Sequence, residues 1–364
     1  MSRTPWLSRI GLTLLTTLPV GVLAAPAEAA TARVASVVES TKVQYKAASG
    51  KQNKVVVTRS GNTITIDDVV TVKPGKGCKK LDRTKVRCTT KKAPTRVRIY
   101  TYDRNDSIVN KSGLAMTADG GTGSDRITGG PRADILRGDR GADKIWGLGG
   151  KDEIDGSYDN DRLYGGDGDD EVDDGFGNDV VYGNNGDDRL LGSTGNDKFY
   201  GGAGNDNYDP FQPYDQQVKT DADYFSGGAG VDYGNYGGYY TAVTIDADGV
   251  KGDDGIKGEH DTLAADVEVL IGTDKNDHLY GTARDEVFFG LGGNDVISGG
   301  AGDDILYGQD GSDKLYGGAG DDIVDGSGDN AKDLLDAGSN GAGGDACYPS
   351  PTDTRTGCEM VFNR

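Results

Sequence analysis

A nine-residue period runs through most of this chain and leaves few folds open to it. Residues 120–209 read as ten consecutive units, from GGTGSDRIT to GGAGNDNYD, and 272–325 add six more, from GTDKNDHLY to GGAGDDIVD. The template is G-G-x-G-x-D-x-U-x, where U is apolar. A fixed short period marks a solenoid, because each unit has an apolar side that only its neighbours can cover. Within the unit, x-U-x reads as a short strand whose middle side chain points opposite to the two beside it. The U places hold Ile127, Leu136, Ile145, Ile154, Leu163, Val172, Val181, Leu190, Phe199 and Tyr208, then Leu279, Phe288, Ile297, Leu306, Leu315 and Val324. Only the hydroxyl of Tyr208 breaks that apolar column, so it is read as the core.

The remaining places divide the other work. The first and fourth glycines are expected to take positive φ and turn the chain tightly. The sixth-place carboxylate is a hard anionic oxygen donor, the type that calcium selects. Successive units fall on opposite sheets, so one turn takes two units, or eighteen residues, and loops stack on the loop two units away. A chain so rich in Gly and Asp could instead be an acidic linker, but strict spacing of the apolar residues argues against that when calcium is present.

On these residues the chain resembles the RTX (haemolysin-type) calcium-binding repeat proteins. The resemblance implies an all-β fold, a parallel β-roll or β-helix solenoid. It also implies several calcium ions between stacked loops, held by loop carbonyls and the sixth-place carboxylates. The matching residues are Asp125, Asp134, Asp143, Asp152, Asp161, Asp170, Asp179, Asp188, Asp197 and Asp206 in the first block. In the second they are Asp277, Asp295, Asp304, Asp313 and Asp322. Asp232, in the half-repeat GGAGVD, is a further candidate. Departures fall at Glu286, which stands for the aspartate, and at Arg132, Asp159, Lys275 and Arg284, which stand for the fourth-place glycine. Lys275 and Arg284 occupy adjacent units, so the start of the second block is expected to bind calcium worst.

The rest of the chain frames these blocks. Residues 1–30 read as a secretory signal peptide, with Arg3 and Arg9, an apolar run over 10–25 and a small-residue site at 27–29. This predicts a secreted, extracellular protein that reaches calcium after export. No other run is long and apolar enough to span a membrane. Residues 31–113 hold 19 Lys and Arg against 6 Asp and Glu, whereas 114–364 hold 18 against 52. The basic region alternates β-branched residues between turn signals and reads as a β-rich cap over the solenoid end, with 101–109 a degenerate repeat carrying Asp106 and Ile108. Residues 114–209 form the first block, 210–271 an irregular insert through which the solenoid continues, 272–336 the second block, and 337–364 a tail that loses the period. Of three pairings open to the four cysteines, Cys78 with Cys88 and Cys347 with Cys358 is the simplest. Export favours disulfides.

The outward strand places suggest a partner surface. Trp146, Tyr164, Tyr182 and Tyr200 recur every eighteen residues and should form a ladder on one sheet, beside Lys144, Arg162 and Lys198. The opposite sheet carries Glu153, Asp155, Glu171 and Asp173. A glycan or cell-surface partner on the aromatic face is one reading; ring packing within the sheet is the other. Val287, Phe289, Ile305, Tyr307 and Ile323 form a second outward apolar stripe. Nucleic acid is not expected as a partner. Enzyme chemistry finds little support: His260 and His278 lie in no H-E-x-x-H, and neither G-x-S-x-G nor a phosphate-binding loop is present. The sequence therefore predicts a secreted, non-enzymatic calcium-binding protein. The alternatives are an adhesin-like protein stiffened by calcium and, more weakly, an enzyme with its site in 210–271.

Overall fold

The computed structural model describes residues 33–210, 221–341 and 343–362. The segment read as a signal peptide lies outside them. Among the described residues every regular element is a β-strand, and no helix is long and apolar enough to cross a membrane. The strands wind into a parallel solenoid. One sheet of 17 strands runs its whole length; the facing side is made by a 12-stranded sheet over the first part and a 7-stranded sheet over the second.

Register follows the period. Ile127 lies beside Ile145, Ile145 beside Leu163, Leu163 beside Val181, and Val181 beside Phe199, each one turn on. On the long sheet Leu136, Ile154, Val172, Leu190 and Tyr208 form the matching column. Every U side chain is at most 1% exposed, and each buried aliphatic or aromatic residue contributes roughly 1.5–3 kcal/mol. Two columns of such residues, one per sheet, make the core.

The basic N-terminal region is built into the same stack. The strands Val34–Glu39 and Lys42–Lys46 form an antiparallel hairpin, and Lys42–Lys46 then pairs in parallel with Arg96–Tyr100. On the other side Lys54–Ser60, Thr63–Asp67 and Lys85–Thr89 are antiparallel, and Lys54–Ser60 pairs in parallel with Ser107–Lys111. The hairpins cover the first rung, whose backbone groups would otherwise be unpaired.

Through the irregular middle the long sheet stays continuous, because Tyr233–Asn235 pairs with Val269–Ile271. Gly234 takes the core place there, and Leu263 fills the space that its missing side chain leaves. The facing side changes sheet at this point. The first ends on Thr262–Leu263, and the next has Gly255–Ile256 at its edge, antiparallel to Val243–Ile245, which lies beside His278–Tyr280. The C-terminal segment does not loosen, although its period fades. Leu334–Asn340 pairs with Lys314–Gly320, Ala346–Tyr348 with Ile323–Asp325, and Thr354–Thr356 and Met360–Val361 add another level. Leu335 and Cys347 occupy core places at 0% exposure, so burial continues where spacing does not. Both disulfides are local, Cys78–Cys88 and Cys347–Cys358, which was the simplest of the open pairings.

Candidate metal centre

The turns between strands work differently from the sequence expectation. In most units the second and fourth places are left-handed, not the first and fourth. In the unit at 165–173, Gly166 has φ +124° and Gly168 φ +129°; in the next unit on the same edge Asn184 and Gly186 have +79° and +127°. The first-place glycine answers to space. A Cβ on Gly165 would lie 2.5 Å from Asp170 Oδ2 and 2.8 Å from the Gly183 carbonyl. Each first-place glycine of this kind leaves a cradle between a carboxylate oxygen and a carbonyl one turn on.

The sixth-place carboxylates stand in columns along the two loop edges, one of which restarts at Asp277, whose Oδ1 accepts the Val243 N–H. Oδ1 of each accepts the backbone N–H of the sixth-place residue one turn earlier, as in Asp152 N–H to Asp170 (2.7 Å), Asp170 N–H to Asp188 (2.8 Å) and Asp188 N–H to Asp206 (2.9 Å). The other edge repeats this through Asp125, Asp143, Asp161, Asp179 and Asp197, and the second block through Asp277, Asp295 and Asp313 and through Asp304 and Asp322. All are at most 2% exposed. One oxygen is thereby spent on the backbone.

The second oxygen separates the loops into kinds. It has no hydrogen-bond partner in any sixth-place residue predicted from sequence except Asp134 and Asp277, and it is equally open in Asp232, Asp333 and Asp345. A buried carboxylate oxygen without a partner is costly. Burial pushes these groups above the ordinary carboxylate range, to about 7 for Asp143, Asp152 and Asp170, about 8 for Asp125, Asp188 and Asp295, and about 9 for Asp161. An array of buried anionic oxygens beside loop carbonyls is the donor set of a hard divalent cation. The residues present therefore fit calcium.

Three loops answer the same need from within. Asp134 Oδ2 accepts the Gly130 N–H at 2.7 Å, Asp277 Oδ2 the Thr273 N–H at 2.5 Å, and Glu286 Oε2 the Thr282 N–H at 3.2 Å. These are the units with Arg132, Lys275 and Arg284 at the fourth place, and none of their second or fourth places is left-handed. Asp159 shows that conformation rather than glycine itself decides. It takes φ +74°, and Asp161 in its loop keeps an open oxygen. At the start of the second block Arg284 also supplies a cation, 2.9 Å from Glu268 and 3.8 Å from Glu286.

Core tyrosines close the oxygen elsewhere. The Tyr208 hydroxyl donates to Asp223 Oδ2 at 2.9 Å, Tyr236 to Asp261 Oδ2 at 3.2 Å, and Tyr45 to Asp68 Oδ2 at 2.7 Å. The polar break at Tyr208 thus has a partner that lies fifteen residues on. Asp223, Asp261, Glu268, Asp333 and Asp345 are column members that the period missed, because insertions stretch the spacing. A shorter signal would have found them. Each is followed two residues later by a core residue, Phe225, Leu263, Leu270, Leu335 or Cys347.

Among the described residues, two places gather three carboxylates with ligand atoms within 4.8 Å of one another, Asp174 with Asp179 and Asp197, and Asp246 with Asp253 and Asp254. Asp174 stands where the repeat has its first-place glycine, and its Oδ1 accepts the Ser193 N–H at 2.9 Å. The histidines join neither group. His260 Nδ1 lies 3.2 Å from the Gly252 carbonyl, and His278 is exposed against Tyr280.

The aromatic ladder forms, with a consequence for the glycan reading. Trp146, Tyr164, Tyr182 and Tyr200 stack at 5.5, 5.0 and 5.0 Å, with ring planes within 12° of parallel. Their faces are turned to one another and their edges to solvent, so the faces that a neutral sugar would stack on are already used. Phe289 and Tyr307 stack in the same way, 5.0 Å apart, in the apolar stripe of the second block.

Comparison with known families agrees with this geometry. The RTX calcium-binding nonapeptide repeat (4 copies) matches residues 119–154, 146–181, 155–190, 182–209, 264–297, 280–315 and 298–331. These stretches carry RTX calcium-binding nonapeptide repeats in several copies, and the fold is a parallel β-roll. No curated protein matches the chain.

Proposed function

We propose that this is a secreted, non-enzymatic calcium-binding protein whose β-roll is completed by calcium outside the cell. The supporting observation is the column of buried carboxylates, each with one oxygen held by backbone and one left open towards a loop carbonyl. Asp125, Asp143, Asp152, Asp161, Asp170, Asp179, Asp188, Asp197 and Asp206 would hold the ions of the first block, and Asp295, Asp304, Asp313 and Asp322 those of the second. Asp232, Asp333 and Asp345 join them. Asp134 and Asp277, whose oxygens are closed, are withdrawn from the set.

Bound calcium supplies positive charge at oxygens that otherwise carry the cost of burial. The chain does the rest: glycine spacing brings carbonyls close, and the N–H ladder orients each carboxylate. Ligands that bind only the folded state draw folding towards it. Extracellular calcium modules bind at about 10⁻⁴–10⁻³ M, so low calcium inside the cell would leave the repeats loose for export. Calorimetric titration of the mature chain, followed in parallel by far-ultraviolet circular dichroism, tests this. Multisite binding should coincide with gain of β-signal. A native spectrum in excess chelator with no calcium uptake would refute it.

A further inference from the structure

We propose that the outer face of the 12-stranded sheet in the first block binds a linear acidic polysaccharide. The seventh places on this face line up across the parallel strands as Lys54, Ser107, Arg126, Lys144, Arg162, Val180 and Lys198. Neighbouring strands lie about 4.8 Å apart, so Arg126, Lys144 and Arg162 are stacked like charges at the closest spacing that a sheet allows. Like charges side by side on neighbouring strands are destabilising. None of these five cations enters an ion pair among the described residues. The chain as a whole carries a net charge of −20, so acidic partners were available to evolution and are missing here.

Exposed acid is sparse beside this column. The fifth places ahead of these strands are Ser124, Ala142, Asn160, Asn178 and Asn196, and Asp167 is the one acidic residue in the strands Arg126–Gly130, Lys144–Gly149, Arg162–Asp167, Val180–Asn185 and Lys198–Ala203. The ninth places are Thr128 and the aromatic ladder. On the facing side of the same turns the corresponding columns hold Glu153, Glu171, Asp155, Asp173 and Asp209, and there the cations are paired: Arg137 with Asp155 at 2.8 Å, Arg189 with Asp209 at 2.5 Å.

The chemistry of the columns defines the ligand. Cations meet carboxylate or sulfate groups. Ring edges carry the positive end of the aromatic quadrupole, so the ladder turns its anion-tolerant side outward. Asn160 and Asn178 spend their side-chain oxygens on the N–H groups of Asn178 and Asn196, which leaves the amide donors facing the hydroxyl-bearing part of a sugar. A polymer made only of charges would use the cations and ignore this amide column. Where the stripe meets the cap, Lys54, Arg126 and Lys144 line a groove of about 820 Å³ that the buried carboxylates of Asp106 and Asp125 also line. An extended pyranose chain advances by close to one strand spacing per sugar, so successive anionic sugars can meet successive rungs.

The test uses the full chain saturated with calcium, with dextran sulfate as probe and unsulfated dextran as control. Dextran sulfate should bind and dextran should not, with affinity falling as salt screens the charges. The triple variant Arg126→Ala, Lys144→Ala, Arg162→Ala should lose affinity by about tenfold or more. Arg137→Ala with Arg189→Ala, on the facing side, should not. Circular dichroism and calcium uptake check that the variants fold, and Lys144→Gln alone serves if the triple variant does not. Unchanged binding by the variant, or no binding of dextran sulfate, overturns the proposal. Equal displacement by inorganic polyphosphate overturns the assignment to a polysaccharide. None of these outcomes depends on which loops hold calcium, so this proposal and the calcium reading can fail separately.

Discussion

The loop at 165–170 and the loop at 281–286 belong to the same edge of the solenoid and carry the same period, yet they solve one electrostatic problem in opposite ways. In the first, two left-handed glycines hold the chain away from Asp170, whose Oδ2 stays open. In the second, Thr282 and Arg284 are not left-handed. The Thr282 N–H reaches Glu286, and Arg284 adds a guanidinium beside Glu268. A left-handed residue other than glycine costs roughly 1–2 kcal/mol, yet Arg104, at the fourth place of the degenerate repeat, takes φ +76°. The conformation of the second and fourth places, rather than residue type alone, thus separates a loop that needs an external cation from one that does not.

Removing calcium should separate the two kinds most sharply. At a calcium concentration 100 times Kd, each filled site contributes about 2.7 kcal/mol to the folded state. Chelation should therefore abolish amide-exchange protection across 138–206, while the cap closed by Tyr45 and Asp68 keeps its protection. Uniform loss over both regions would erase the distinction. Glycine substitutions come next. Gly166→Ala places Cβ at φ +124° against the Leu148 carbonyl and should cost about 1–3 kcal/mol in urea unfolding. Gly130→Ala, at the same place in a closed loop with Asn110 Nδ2 at 3.0 Å as its nearest neighbour, should cost only a few tenths, roughly.

Tyr208→Phe removes the donor to Asp223 Oδ2 and should destabilise the chelated protein by about 1–3 kcal/mol, with a smaller loss when calcium is present.

Acidity should act most on the open loops and less on closed ones such as that of Asp134, whose carboxyl is raised only to about 6. In the open loops the folded-state carboxylates are raised by burial, to about 7 for Asp152 and about 8 for Asp188, against about 3.9 in the unfolded chain. The metal-free fold therefore holds protons that the unfolded chain has released, and its stability falls as pH rises from about 4 through the raised values. Calcium needs the ionised form, so affinity should rise across the same window. Titrations in buffers of different ionisation enthalpy should show protons released on binding. The smallest effect is a gain: Arg284→Gly with Glu286→Asp should reopen a loop and add a calcium ion to the stoichiometry measured by calorimetry.

Much of this was legible in the chain. The apolar ninefold period placed Ile127, Leu163, Leu306 and their equivalents in the core, because a side chain that recurs at strand spacing has only one interior to enter. The sixth-place carboxylates were equally legible, since no other residue in the unit offers a hard anionic oxygen. The period lost Asp223, Asp261, Glu268, Asp333 and Asp345, whose distances from their predecessors change with each insertion while their place beside a core residue does not. It also put left-handed geometry at the first glycine, where the requirement is space for Asp Oδ2.

Sequence by itself determined the solenoid, its eighteen-residue turn, its two apolar columns and the kind of ion its repeats suit. All of these follow from local spacing, which a stack of like units repeats without reference to distant residues. Tertiary structure decided the oxygens that are closed from outside their own loop, as Tyr208 closes Asp223, whereas Gly130, Thr273 and Thr282 close theirs within the unit. Tyr208 meeting Asp223 and Arg284 meeting Glu268 are contacts between residues whose separation in the chain carries no period.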